Sequence, residues 1–165
     1  MTYFELFGIP VSLKVDTGKL QAQFFILSRK YHPDFYSNAG ADVQAEVLEK
    51  SALLNQAWKT FQNPDATIKY VLKSKGLLED EEKYDLPPEF LMEVMELNEE
   101  LMDNDNKAGE GFSRRVNEIQ NEIYKPVQHI IENYHEETTS QEELLQVKEY
   151  YYKKKYLDRL ARQIL

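Results

Sequence analysis

No cysteine occurs among the 165 residues. That absence removes disulfides, thiolate metal sites and a cysteine nucleophile, and it fits a reducing compartment. Glycine and proline are scarce, six of each, so breaks are few and long periodic stretches lie between them. No apolar run approaches the roughly 20 residues that a bilayer crossing needs. The amino terminus, MTYFELFGIP, has the form of neither a signal peptide nor an Arg-rich transit peptide. The expectation is a soluble intracellular protein with no membrane partner.

What is present favours a folded core. Hydrophobic residues make up 42%, with eleven Tyr and eight Phe, too much apolar surface for a disordered chain. The length suits one domain or two small ones. The net charge of −9 is unevenly spread. Residues 1–76 hold nine Lys and Arg against seven Asp and Glu, and residues 77–165 hold eleven against twenty-two. An acidic half repels a phosphate backbone, which argues against nucleic acid as a partner. The change of sign suggests two modules.

In the first module, Thr2-Tyr3-Phe4-Glu5 has the form of a capping box, and Gly8-Ile9-Pro10 stops the short helix it opens. Asp16 is placed to cap a second helix, in which Leu20, Phe24, Leu27 and Tyr31 share one face. A polar loop with Ser37, Asn38 and Gly40 follows. Asp42 is placed to cap a third helix whose apolar face carries Val47, Ser51, Leu54, Trp58 and Phe61. Asn63-Pro64 joins a cap to a proline at the first helical position. It opens a fourth helix with Ile68, Val71 and Leu72, which Gly76 can close. The two long middle helices should pack antiparallel, as a hairpin.

Between them stands Tyr31-His32-Pro33-Asp34-Phe35. Proline fixes φ, lacks an N–H and keeps the preceding residue out of the α region, so the second helix ends at or before His32. An imidazole and a carboxylate then face solvent on a stiff turn, beside Arg29 and Lys30 in the last helical turn, where the macrodipole favours cations. Alone, this is an ordinary helix stop, since Pro and Asp are common turn residues. A fixed tripeptide arises by chance in about one chain in fifty of this length.

The surroundings give it weight. The loop, the aromatic first helix, Leu54-Asn55-Gln56-Ala57-Trp58, and Pro64 with Tyr70 after it together resemble a J-domain over residues 1–76. The resemblance implies that His32, Pro33 and Asp34, with Arg29 and Lys30, dock on the ATPase domain of a DnaK-type chaperone and accelerate its ATP hydrolysis. Asp34 suits a bidentate pair with an arginine, and Pro33 holds it with little left to order on binding. His32 adds a donor or acceptor. One departure concerns the second helix, where most J-domains have several cations on the solvent face. Here Gln21, Gln23, Phe25 and Ile26 stand on that face, with cations only at Lys19, Arg29 and Lys30. Steering by charge should be weaker, with apolar contact replacing it.

Residues 77–86 read as a short acidic linker, and 87–165 as three antiparallel helices. Pro88, with Asp85 upstream, starts a helix over 89–104. Phe90, Val94, Leu97 and Leu101 form one stripe on it. Leu91, Met95 and Met102 form a second, flanked by Met92, Glu96 and Glu99. One stripe suffices to hold a helix on a bundle. The second is either buried in a broader core or an adaptable partner-binding face, for which Met-rich surface edged by carboxylates is suited. Residues 103–109 read as a polar loop without the closing Glu of a Ca²⁺ loop. From Phe112, the positions Val116, Ile119, Ile123, Val127, Ile130 and Tyr134 keep helical phase through Lys125-Pro126, which predicts one helix kinked at Pro126. Ser140-Gln141-Glu142-Glu143 is a capping box. The last helix buries Leu144, Val147, Tyr151, Leu157, Leu160 and Ile164 and leaves Lys153-Lys154-Lys155 as a solvated face. His129 and His135 share no face, and no metal site is expected.

A J-domain followed by Pro-Glu-Phe-Leu-Met-Glu-Val-Met-Glu-Leu-Asn-Glu-Glu-Leu (88–101) and two further helices resembles the HscB-type co-chaperones of iron–sulfur cluster assembly, over the whole chain. The resemblance implies that the second module binds an IscU-type cluster scaffold and delivers it to an HscA-type chaperone of the DnaK class. The scaffold-facing residues implied are Leu91, Met92, Met95, Glu96 and Glu99, with Tyr156 where the family places an aromatic. Pro126 is foreign to the family pattern. The Cys-rich amino-terminal extension of eukaryotic members is missing, so a bacterial cytoplasm is the expected location. No nucleophile–base pair or Gly-rich phosphate loop argues for catalysis, and no cofactor is expected, since any cluster would belong to the scaffold.

The expected fold is therefore all-α, a J-domain followed by a C-terminal three-helix bundle. Two other readings compete. One is a general J-domain protein whose acidic helices bind unfolded clients. The other is a structural helical protein in which His-Pro-Asp is accidental.

Overall fold

The computed structural model describes residues 1–103 and 108–164, apart from the side chains of 101–103, 108–110 and 164. Its helices are α1 (Tyr3–Phe7), α2 (Thr17–Lys30), α3 (Ala41–Phe61), α4 (Pro64–Ser74), α5 (Pro88–Asp103), α6 (Ala108–Tyr124), α7 (Gln128–Glu132) and α8 (Gln141–Ile164), with a 3₁₀ turn at Pro33–Tyr36. Among the described residues there is no strand, and no helix is long and apolar enough to cross a membrane. The chain divides into two compact units, Met1–Val71 and Leu72–Leu165.

Local chemistry sets the helix ends of the first unit. The Thr2 hydroxyl accepts the Glu5 N–H at 3.1 Å while the Glu5 carboxylate accepts the Thr2 N–H at 2.9 Å. Such a cap contributes about 1 kcal/mol. Gly8 ends α1 at φ +65°, a left-handed conformation that glycine alone takes without strain. Asp16 caps α2 through the Lys19 N–H. Asn63 Oδ1 accepts the N–H groups of Asp65 and Ala66 at the start of α4. The third cap differs from expectation: Gly40 is the N-cap of α3, and Asp42 lies inside its first turn. There Asp42 faces the positive end of the helix macrodipole instead of closing the N–H groups.

Rings from α1, α2, α3 and α4 fill the first unit. Trp58 stacks on Phe24 at 4.7 Å and on Phe7 at 6.3 Å, and Tyr3 stacks on Tyr70 at 4.1 Å. Each such pair adds about 0.5–1.5 kcal/mol beyond burial of its area. The buried Thr67 hydroxyl lies 3.0 Å from the Thr60 carbonyl oxygen and 3.1 Å from that of Asn63, so no polar cost is left in the core.

In the second unit, Gly76 at φ +73° closes α4. Its N–H reaches the Lys73 carbonyl while the Leu77 N–H reaches that of Leu72, a Schellman motif. Residues 77–86 lie along α8. Tyr84 stacks on Tyr152 at 4.6 Å with ring planes 6° apart, Glu82 pairs with Lys148 at 2.6 Å, and Leu78 is buried. Helices α5, α6 and α8 then enclose Phe90, Val94, Leu97, Phe112, Val116, Ile119 and Leu157.

Three sequence expectations change here. Helix α6 begins at Ala108, four residues before Phe112, and of the polar loop expected over 103–109, residues 104–107 lie outside the described residues, as do the side chains of Leu101, Met102 and Ile164. The middle run is two helices, not one kinked helix. The last α-type bond of α6 there is Lys125 N–H to Asn121, and Val127 N–H reaches only to Tyr124. Pro126 has no N–H to offer Glu122, and its ring clashes with that carbonyl, so the chain turns before α7. The phase nevertheless survives, because Val127, Ile130 and Ile131 are all buried. Finally, Lys153 and Lys154 are half-buried along α8. Lys154 pairs with Asp158 at 3.0 Å, and the Lys153 ammonium sits 5.6 Å from the Phe90 ring centroid; lysine stems cover apolar surface readily.

Candidate partner-binding sites

Helix α2 stops at Lys30 with Tyr31 as its cap, as the proline requires. His32 then caps the 3₁₀ turn: its Nδ1 accepts the Asp34 N–H at 3.2 Å. With Nδ1 accepting, the neutral ring carries its proton on Nε2. The Phe35 N–H reaches the His32 carbonyl at 3.1 Å and closes the turn. His32, Pro33 and Asp34 are all exposed, Asp34 with 88% of its side chain open to solvent. Arg29 and Lys30 are exposed in the turn before, so all five residues singled out in the sequence meet at the tip of the hairpin.

Two residues that the sequence reading passed over hold this loop. The Tyr36 hydroxyl donates to the Lys30 carbonyl at 2.8 Å. From the first turns of α3, the Gln44 side-chain amide nitrogen lies 3.1 Å from each of the carbonyl oxygens of Tyr36, Ser37 and Ala39. Only the packed hairpin brings Gln44 over those carbonyls; in sequence it is one more polar residue on a solvated helix.

The second candidate site lies on α5. Phe90, Val94 and Leu97 are 2–4% exposed on the core side. Met92 and Met95 are 62% and 60% exposed, Glu96 and Glu99 are exposed, and Leu91 is half-buried at the edge. At about 100° per residue these five occupy the side away from the core. Met92 and Met95 are therefore surface residues. Tyr156 on α8 is half-buried. It packs on the core side, edge-on to Phe90 at 6.3 Å, with the Arg159 guanidinium 5.5 Å from its ring. Further round α5, burial and the neighbouring Glu122 carboxyl push the Glu93 carboxyl above its ordinary range.

A family model for the HscB C-terminal oligomerisation domain matches residues 86–165. Human co-chaperone protein HscB has a similar structure, with a TM-score of 0.80 and 30% sequence identity over 99% of this chain and 80% of the human one. The chaperone HscB from Vibrio cholerae matches over the full length of both chains, with a TM-score of 0.66 and 28% identity.

Proposed function

Since the chain belongs to the HscB family of iron–sulfur cluster co-chaperones, we propose that it is a two-ended adaptor. The hairpin tip of residues 1–76 docks on the ATPase domain of an HscA- or DnaK-type chaperone and stimulates ATP hydrolysis. The outer face of α5 binds an IscU-type scaffold and carries it to that chaperone. In this reading the chain acts by binding, and ATP hydrolysis and any cluster chemistry belong to its partners.

The observation that carries this reading is the state of Asp34: an exposed carboxylate on a turn fixed by its neighbours. A partner arginine can then form a two-pronged pair without waiting for the loop to order. At the other end, Leu91, Met92 and Met95 offer soft apolar contact, and Glu96 and Glu99 supply a charged edge that sets register. Tyr156, half-buried and edge-on to Phe90, completes the proposed scaffold-binding set.

The test combines the protein with a DnaK-type chaperone and a candidate IscU-type scaffold and follows ATP turnover. Stimulation is expected to vanish with Asp34→Asn, and the further gain from scaffold is expected to vanish when Leu91, Met92 and Met95 are changed to Ala. Stimulation that survives Asp34→Asn defeats the docking role. Equal competition by denatured proteins, unaffected by the α5 changes, would favour a general J-domain co-chaperone.

A further inference from the structure

Three of the large apolar side chains of the first unit stand in solvent around the same loop. Phe25 and Ile26 on α2 are 60% and 67% exposed, and Phe35 in the 3₁₀ turn is 70% exposed. Ile26 and Phe35, with Arg29, Lys30 and Tyr36, line an open groove of about 530 Å³; Phe35 follows Asp34 in the chain, and Phe25 stands one residue before Ile26, outside the lining. The groove's walls are apolar and its rim is cationic. Leaving such surface wet gains the isolated chain nothing, and contiguous exposed apolar patches mark interaction sites. The backbone that carries these side chains is tied down. The Tyr36 bond to Lys30 fixes the end of α2 against the turn, the His32 ring meets Phe35 edge-on at 6.1 Å, and Phe24, next to Phe25, is stacked on Trp58.

We propose that Phe25, Ile26 and Phe35 extend the chaperone-docking surface beyond His32-Pro33-Asp34. The occupant is an apolar patch of the chaperone's ATPase domain bordered by carboxylates. The inference rests on the docking role proposed above. It adds which chaperone surface this protein selects and by what force. Apolar side chains enter the groove between Ile26 and Phe35, and flanking carboxylates meet Arg29 and Lys30. Most of the contact is burial, so docking depends only weakly on salt, unlike the screened attraction of a wholly cationic helix face. A chaperone with a strongly acidic, apolar-poor surface is correspondingly discriminated against.

The experiment measures chaperone ATPase stimulation against co-chaperone concentration at salt from about 0.05 to 0.5 M, where screening of exposed charges becomes nearly complete. Four proteins are compared: the wild type, Asp34→Asn, a Phe25→Gln/Ile26→Gln/Phe35→Gln variant, and Val43→Gln/Leu48→Gln, which removes exposed apolar residues elsewhere on the same unit. All changes are at exposed positions, and circular dichroism checks that each variant is folded. For the wild type, the half-maximal concentration is expected to shift less than about threefold across the salt range. The triple variant is expected to need roughly tenfold more protein, with the Val43/Leu48 variant unchanged and Asp34→Asn inactive. A triple variant as potent as the wild type, while Asp34→Asn is inactive, overturns the apolar extension alone. Loss of potency in the Val43/Leu48 variant equal to that of the triple variant also overturns it. An active Asp34→Asn defeats the docking role itself. If sedimentation shows a wild-type dimer that the triple variant loses, with potency unchanged, the patch belongs to a second copy and the proposal fails.

Discussion

The phenol of Tyr36 donates a 2.8 Å hydrogen bond to the carbonyl oxygen of Lys30, tying the 3₁₀ turn to the last turn of α2. Together with the Gln44 amide over the carbonyls of Tyr36, Ser37 and Ala39, it orders the loop without burying Asp34. Binding then spares the entropy of fixing that loop, which otherwise weakens association.

Tyr36→Phe and Gln44→Ala should each therefore cost little stability, about 1 kcal/mol or less. Their main effect should be on chaperone stimulation, with the half-maximal concentration rising roughly three- to tenfold. Thermal melts and a steady-state ATPase titration measure the two separately. An equal loss in both would mean that these bonds hold the fold and not the loop.

The Glu82–Lys148 pair fixes residues 77–86 on α8, with side chains only 21% and 15% exposed. The hydrogen bond from Lys148 pulls the Glu82 carboxyl below its ordinary range, against the opposing effect of burial. A carboxyl whose pKa is depressed by folding adds stability above its unfolded value and loses it as pH falls through the folded one. Lys148→Met should lower the melting temperature by a few degrees near neutral pH, for a contribution of about 1 kcal/mol. The gap from wild type should close on acidification below the carboxylate range. Melts across that range check both halves.

Tyr152 stacks on Tyr84 beneath this pair. Burial first, and then the Glu82 charge, push its phenol up to about 12. An acid whose pKa is raised in the native state binds its proton more tightly folded than unfolded. Stability is then lost as pH climbs from the ordinary tyrosine value towards the raised one. The second unit should weaken above about pH 10, and Tyr152→Phe should blunt that loss. Tyrosinate absorbance, followed beside helicity, reads the effect directly.

Glu93 on α5 lies against Glu122 on α6, and burial together with that neighbour raises its carboxyl. Ionising it in the native state is unfavourable, so its contribution falls as pH rises above the carboxylate range. Glu93→Gln should raise the melting temperature near neutral pH, with the gain fading on acidification. A constant gain at every pH would place its origin in packing.

Much of this architecture was legible in the sequence where the chemistry is local. Thr2 with Glu5, Asp16, Asn63-Pro64 and Ser140 with Glu143 cap helices as their types require. His-Pro-Asp fixed the turn because proline acts within one residue. The failures needed information from elsewhere in the chain. Asp42 is the better cap by residue type, yet Gly40 takes the N-cap position and Asp42 falls in the first turn. At Pro126 the apolar phase continues, and periodicity does not distinguish a bent helix from two in register. For the candidate sites, type and spacing located Asp34 and Met95, but Phe35 became part of a groove only when the 3₁₀ turn folded it towards Ile26.

Trp58 is the single tryptophan of the chain, and it lies stacked on Phe7 and Phe24 inside the first unit. The molecule thus carries its own optical label at one address. Selective excitation of that indole follows melting of the first unit, while the tyrosine signal, with seven of its eleven phenols in residues 72–165, is weighted towards the other half. A single sample can then show whether the two halves unfold together or in turn, with no dye attached.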